Sequence, residues 1–140
     1  NNAEDAADVT QAAFLKAYEN LNSFNERYKF FSWLYKIAVN ESINALRQRK
    51  QSQGIDSGII STEKNPEETY NDVELSEKIQ NALMTIGIDY RIVIVLSHFQ
   101  DLSYREISYV LDLPEKTVKS RLFTARKLLR DILRKEGVYD

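Results

Sequence analysis

Cysteine is absent from the 140 residues, so no disulfide, thiolate nucleophile or cysteine-ligated metal is available. That absence suits a cytoplasmic protein, the localisation expected here. Histidine occurs once, at His98, and a single imidazole without cysteine predicts neither a zinc site nor a partnered catalytic base. With Gly 4 and Pro 2, the chain has little turn chemistry for a many-stranded sheet. No apolar run approaches membrane-spanning length and no signal-peptide pattern precedes the first helical segment, so no membrane insertion is expected. Phosphate loops, Gly-rich dinucleotide fingerprints and serine elbows are missing too. Glu67-Glu68 lies in a polar stretch with nothing to hold a carboxylate pair in catalytic geometry. The expectation is a protein with no catalytic residue, metal or cofactor, and so not an enzyme.

What is present is 43% hydrophobic sequence arranged in long amphipathic segments, which predicts an all-α fold. The net charge of −2 argues by itself against nucleic acid, but its distribution does not. Residues 1–50 carry seven basic and six acidic side chains, 51–100 three and eight, and 101–140 nine and seven.

Ala6, Val9, Ala13 and Ala17 form one helical stripe in the opening segment, with Phe14, Tyr18 and Leu21 adjoining it. Asn22 to Lys29 reads as a loop. A second helix runs from about Phe30 to Arg49, with an aromatic entry (Phe30, Phe31, Trp33, Tyr35) and a basic exit (Arg47, Arg49, Lys50). Such aromatics usually build a core, and beside basic residues they also stack unpaired bases. Residues 51–71 lose periodicity and turn acidic, the pattern of a flexible linker between two small helical domains, 1–50 and 72–140. Leu75, Ile79, Leu83 and Ile86 then repeat at helical spacing, with Gly87 able to stop the helix. Tyr90 to Phe99 is open to a buried strand or a buried helix. The helix is preferred, because a lone strand would leave its backbone groups unpaired.

The most informative stretch runs from Leu102 to Arg130. Ser103 and Glu106 have capping-box spacing, with Leu102 and Ile107 at the staple positions. Asp112 suits a left-handed turn and Pro114 a first helical turn. In the next helix Val118, Leu122, Ala125, Leu129 and Ile132 share a stripe, while Glu115 to Lys135 holds eight Lys or Arg against two acids. A short helix, a tight turn and a basic second helix predict a helix-turn-helix that reads duplex DNA. The plainer alternative is a helical hairpin with a solvated basic side; the charge asymmetry favours DNA.

With these features placed, the chain closely resembles a bacterial extracytoplasmic-function sigma factor of the sigma-70 family. Glu4 to Tyr18 resembles the family's polymerase-binding helix, and Phe31-Ser32-Trp33-Leu34-Tyr35-Lys36-Ile37-Ala38-Val39-Asn40 its promoter-melting helix. Leu102 to Ile107 and Thr117 to Leu122 resemble its promoter-reading domain. The resemblance covers nearly everything except the linker, and starts at the family's second helix, so its opening helix is expected to be missing.

This resemblance implies a sigma-2-like domain over 1–50, an acidic linker over 51–71 and a sigma-4-like helix-turn-helix domain over 72–140. Asp8, Gln11 and Phe14 would dock on the β′ coiled coil of core RNA polymerase, and the second domain on the β flap. Phe24, Trp33, Lys36, Asn40 and Arg47 would serve the −10 element. Lys116, Lys119, Ser120, Arg121, Phe123, Arg126 and Lys127 would face the −35 element. Promoter DNA and an anti-sigma factor are the further partners implied. Two local departures stand out: Glu115-Lys116 replaces a small, Gly-containing turn, and Thr124 stands where a basic residue is common. Two other readings keep a place: a helix-turn-helix regulator that binds DNA without polymerase, and a helical module gripping an acidic protein. The aromatic segment Phe30 to Asn40 speaks against the first of these, and binding to bare and promoter DNA with and without core polymerase separates the second.

Overall fold

The computed structural model describes residues 2–53 and 70–138, and among them every regular element is helical. The central part of the expected linker, 54–69, lies outside the described residues. At its margins the chain is helical, since α2 continues to Gln53 and α3 begins at Tyr70. The chain divides into two compact units.

The first unit is a helical hairpin of α1 (Asn2–Glu19) and α2 (Phe30–Gln53). Ala13 and Ala17 are the buried residues of α1, and their small side chains let the two backbones approach closely. Ion pairs run from Lys16 to Glu41 and, at 3.3 Å, from Arg49 to Asp5. The end of α1 meets the middle of α2 and the start of α1 meets the last turns of α2, which makes the pair antiparallel. Between them Leu21–Ser23 forms one 3₁₀ turn, tied back by Ser23 Oγ donating to Asn20 O at 2.7 Å.

The second unit contains α3 (Tyr70–Thr85), α4 (Ile88–Ile94), a π-helical turn (Val95–Phe99), α5 (Tyr104–Leu111) as far as Ser108, and α6 (Glu115–Lys135). The run from Ile92 to Leu96 is helical, with Val93, Ile94 and Leu96 buried. A lone strand there would strand its own N–H and C=O groups, whereas a helix satisfies them internally. Gly87 is not the stop of α3 but the N-cap of α4, in an extended conformation. The end of α3 is closed by Arg91, whose guanidinium donates to the carbonyls of Leu83 (2.9 Å), Met84 (3.4 Å) and Ile86 (3.1 Å). Partial burial lowers the Arg91 pKa from its ordinary value, and these carbonyls replace the lost hydration.

Helix α6 packs against α4 and α3. Val118, Leu122, Ala125 and Leu133 are buried, while Leu129 and Ile132 are half-buried. The expected stripe is therefore buried over two turns, from Val118 to Ala125, and ends on Leu133 rather than Ile132. At about 100° per residue both positions flank the stripe, and the neighbouring helices decide which is covered. Leu75, expected on the inner face of α3, is 44% exposed, and Ala82 is fully buried instead.

Candidate nucleic-acid interface

Ser103 and Glu106 form the expected capping box: Ser103 Oγ accepts from Glu106 N–H at 3.1 Å, and Glu106 Oε1 accepts from Ser103 N–H at 3.2 Å. α5 ends where Asp112 enters the left-handed region at φ 55°. The turn is closed by Leu113 N–H donating to Ser108 O at 3.1 Å and by Ser108 Oγ donating to Leu113 O. Pro114 sits one position earlier than expected, as the N-cap of α6, and its carbonyl accepts from Val118 N–H at 3.1 Å. With Ile107, Val110, Val118 and Leu122 buried, the apolar sides of both helices are turned inwards.

The opposite side of α6 is therefore fixed in solvent. Lys116, Ser120, Phe123 and Lys127 are exposed along one ridge, with Arg130 and Arg134 continuing it. Phe123 is 73% exposed, an apolar ring with basic residues on either side along the helix. Three other expected DNA-facing residues are held within the unit. Lys119 Nζ lies 5.7 Å from the Tyr104 ring centroid. Arg121 Nη1 stands 4.0 Å from Asp89 Oδ1, and Arg126 Nε donates to His98 Nε2 at 3.1 Å. None of these three partners carries a sequence signal, because the pairs are 15 to 32 positions apart and only the packing of α4 and α5 brings them close.

In the first unit an open cleft of about 260 Å³ is lined by Trp33, Lys36, Ile37, Asn40 and Glu41 of α2 with Lys16, Asn20 and Ser23. Trp33, Lys36 and Asn40 follow i, i+3, i+7 spacing, so one helical face brings them together. Trp33 is buried, so it forms a wall rather than an open stacking platform. Phe24 is half-buried behind it, 5.3 Å between ring centroids and tilted 52°. Phe30 joins the cluster at 5.7 Å from Phe24 and 5.8 Å from Trp33. Phe31, 69% in solvent, is more exposed than Phe30, at 43%. Arg47 is exposed two turns beyond Asn40 and does not line the cleft. Lys16, Asn20, Ser23 and Glu41 were not legible as cleft residues, since their approach depends on the hairpin.

On α1, Asp8, Gln11 and Phe14 are exposed, on the side away from Ala13 and Ala17. Phe14 (59%), Leu15 (59%), Tyr18 (80%) and Leu21 (51%) extend this face as an apolar patch. Phe14 is thus a surface residue and not part of the core.

Residues 1–52 match the Sigma-70 region 2 family model and residues 76–129 the Sigma-70, region 4 model. The ECF RNA polymerase sigma factor SigW of Bacillus subtilis (strain 168) is 37% identical over 145 residues, spanning 95% of this chain and 78% of that protein. This chain belongs to the ECF RNA polymerase sigma factors. It is a transcription initiation factor that directs promoter recognition. The ECF RNA polymerase sigma-E factor of Escherichia coli (strain K12) is 36% identical over 137 residues, covering 89% of this sigma factor and 72% of the other. The sigma factor RpoE, solved in complex with the anti-sigma factor NepR from Bartonella quintana, shares the fold at TM-score 0.80 and 24% identity, over 94% of this chain and 82% of that one. CnrH, solved in complex with the cytosolic domain of CnrY, gives TM-score 0.68 at 26% identity, over 92% and 71%. Among the described residues no helix of this sigma factor is long and apolar enough to cross a membrane.

Proposed function

We propose that this sigma factor divides its work between the two units, acting with core RNA polymerase in the cytoplasm and contributing no catalytic group of its own. The first unit, over about 1–50, docks on the β′ coiled coil through Asp8, Gln11 and Phe14. Its cleft, with Trp33, Lys36 and Asn40 backed by Phe24, receives an unpaired base of the −10 element, and Arg47 holds the adjoining backbone. An open cleft with an aromatic wall and amide and ammonium groups beside it suits a base removed from the stack. Residues 51–71 serve as the connection. The second unit, over 72–140, presents α6 to the −35 duplex and meets the β flap.

The observation that carries the reading is the division of α6: an apolar side buried against α3 and α4, and a Lys/Arg ridge with Phe123 in open solvent. Lys116, Ser120, Phe123 and Lys127 lie exposed along one ridge, and we assign base edges to it. Lys119, Arg121 and Arg126, held from the side, are assigned to phosphates, which position a recognition helix without reading sequence. An anti-sigma factor is the partner implied by the family, and it would cover these same faces.

The test is a titration of duplex carrying a −35 element, and its single-base variants, at several salt concentrations. Arg121→Ala should weaken binding evenly across sequences and reduce the salt slope by about 1. Ser120→Ala or Phe123→Ala should change preference at one or two base pairs and leave the slope alone. If Lys116→Ala, Lys119→Ala and Lys127→Ala together leave affinity and salt slope unmoved, α6 is not the DNA-reading helix.

A further inference from the structure

Arg126 differs from the other basic side chains of α6 in donating a hydrogen bond to a side chain of another element. Its Nε–H donates to Nε2 of His98, at 3.1 Å, from α6 to the π-helical turn that follows α4. That turn is wider than an α-turn: Gln100 N–H bonds Val95 O, five residues back, at 3.1 Å, and Leu102 N–H reaches Leu96 O at 3.0 Å. Turns of this kind are uncommon and re-aim the side chains they carry. Here the turn carries the chain's one imidazole to the flank of the recognition helix.

An Nε2 that accepts is the unprotonated nitrogen of a neutral ring, with the proton on Nδ1. The contact uses only the side-on N–H of the guanidinium. Both terminal amino groups remain as an end-on fork, the geometry that grips a phosphate with two parallel hydrogen bonds. A free arginine gives up considerable rotamer freedom when it makes such a contact, and an arginine already fixed at Nε gives up less.

We propose that His98 is a positioning residue for DNA binding, holding the Arg126 fork towards a backbone phosphate of the −35 duplex. The proposal rests on the assignment of α6 to that duplex. His98 touches no DNA in this role and acts through Arg126.

The test uses the full chain and a duplex bearing a −35 element selected by that chain from a random pool, with affinity measured over a range of salt. Arg126→Ala should weaken binding about fivefold to tenfold and reduce the salt slope by about 1. His98→Ala should reproduce most of both effects. His98→Gln, whose amide oxygen can accept from the same direction, should restore them. The double variant should bind no more weakly than Arg126→Ala alone. A purely structural histidine would instead lower the melting temperature, leave the salt slope unchanged and add its loss to that of Arg126→Ala; that outcome overturns the proposal. So does an unaltered His98→Ala beside a weakened Arg126→Ala, which leaves the α6 assignment intact. If Arg126→Ala, Lys119→Ala and Lys127→Ala all bind as the parent does, the α6 assignment itself falls and this proposal with it.

Discussion

Arg91 is half-buried, and its three carbonyl acceptors are the reason its charge is tolerated there. Two of them, Leu83 and Met84, belong to the last turn of α3, where carbonyls lack partners within the helix. A cation at a helix C-terminus also meets the favourable end of the dipole. Arg91→Met keeps much of the stem but leaves these oxygens to water, and should cost about 1–2 kcal/mol in thermal or denaturant unfolding. Arg91→Lys should recover only part of that loss, because one ammonium cannot span three carbonyls as a planar fork does. Equal stability of Arg91→Lys and the parent would remove this account. The box at Ser103 and Glu106 was legible three residues apart, whereas the clamp at Arg91 was not. Its acceptors are backbone atoms on the preceding helix, and sequence names no acceptor of that kind.

The helix-turn-helix depends on how the chain leaves and enters α5. Among the described residues the non-glycine positions with positive φ are Asp101 (59°) and Asp112 (55°), one before α5 and one after it. In a chain with four glycines, aspartate takes the left-handed positions that glycine usually fills. Asp112→Gly should therefore stabilise the unit or leave it unchanged, while Asp112→Val should destabilise it by about 1–2 kcal/mol. Chemical denaturation of the two variants checks this. A valine variant as stable as the parent would mean that the turn is not held in this conformation. The turn, the capping box and the Val118-Leu122-Ala125 stripe were all readable, because each is set by residues within a few positions. The Leu133 end of the stripe was not, since it depends on which neighbouring helix covers it.

For the molecule as a whole, a net charge of −2 coexists with a locally basic helix, and the exposed faces of α1 and α6 belong to different units. If docking and DNA reading are separate, one can be removed without the other. Asp8→Ala with Phe14→Ala should weaken association with core polymerase by about tenfold or more, as loss of an exposed aromatic anchor does. The same double variant should bind −35 duplex as the parent does. Because Phe14 is 59% exposed, the double variant should also keep its helical content. Unchanged polymerase affinity in a folded double variant would remove α1 from the docking surface.

By itself the sequence determined the helical class, the capping box, the turn at Asp112 and the family. Each of these is a local pattern or a motif, written in the order of the residues. It also brought Trp33, Lys36 and Asn40 onto one face, since helical spacing alone does that. Only the tertiary structure decided that Phe14 is surface and Trp33 is wall, that Lys16 and Glu41 close one cleft, and that Arg121 and Arg126 are held from α4 and its π turn. Those outcomes depend on the approach of helices distant in sequence. The approach is set by the fit of buried side chains across an interface, which no periodicity along one helix can specify.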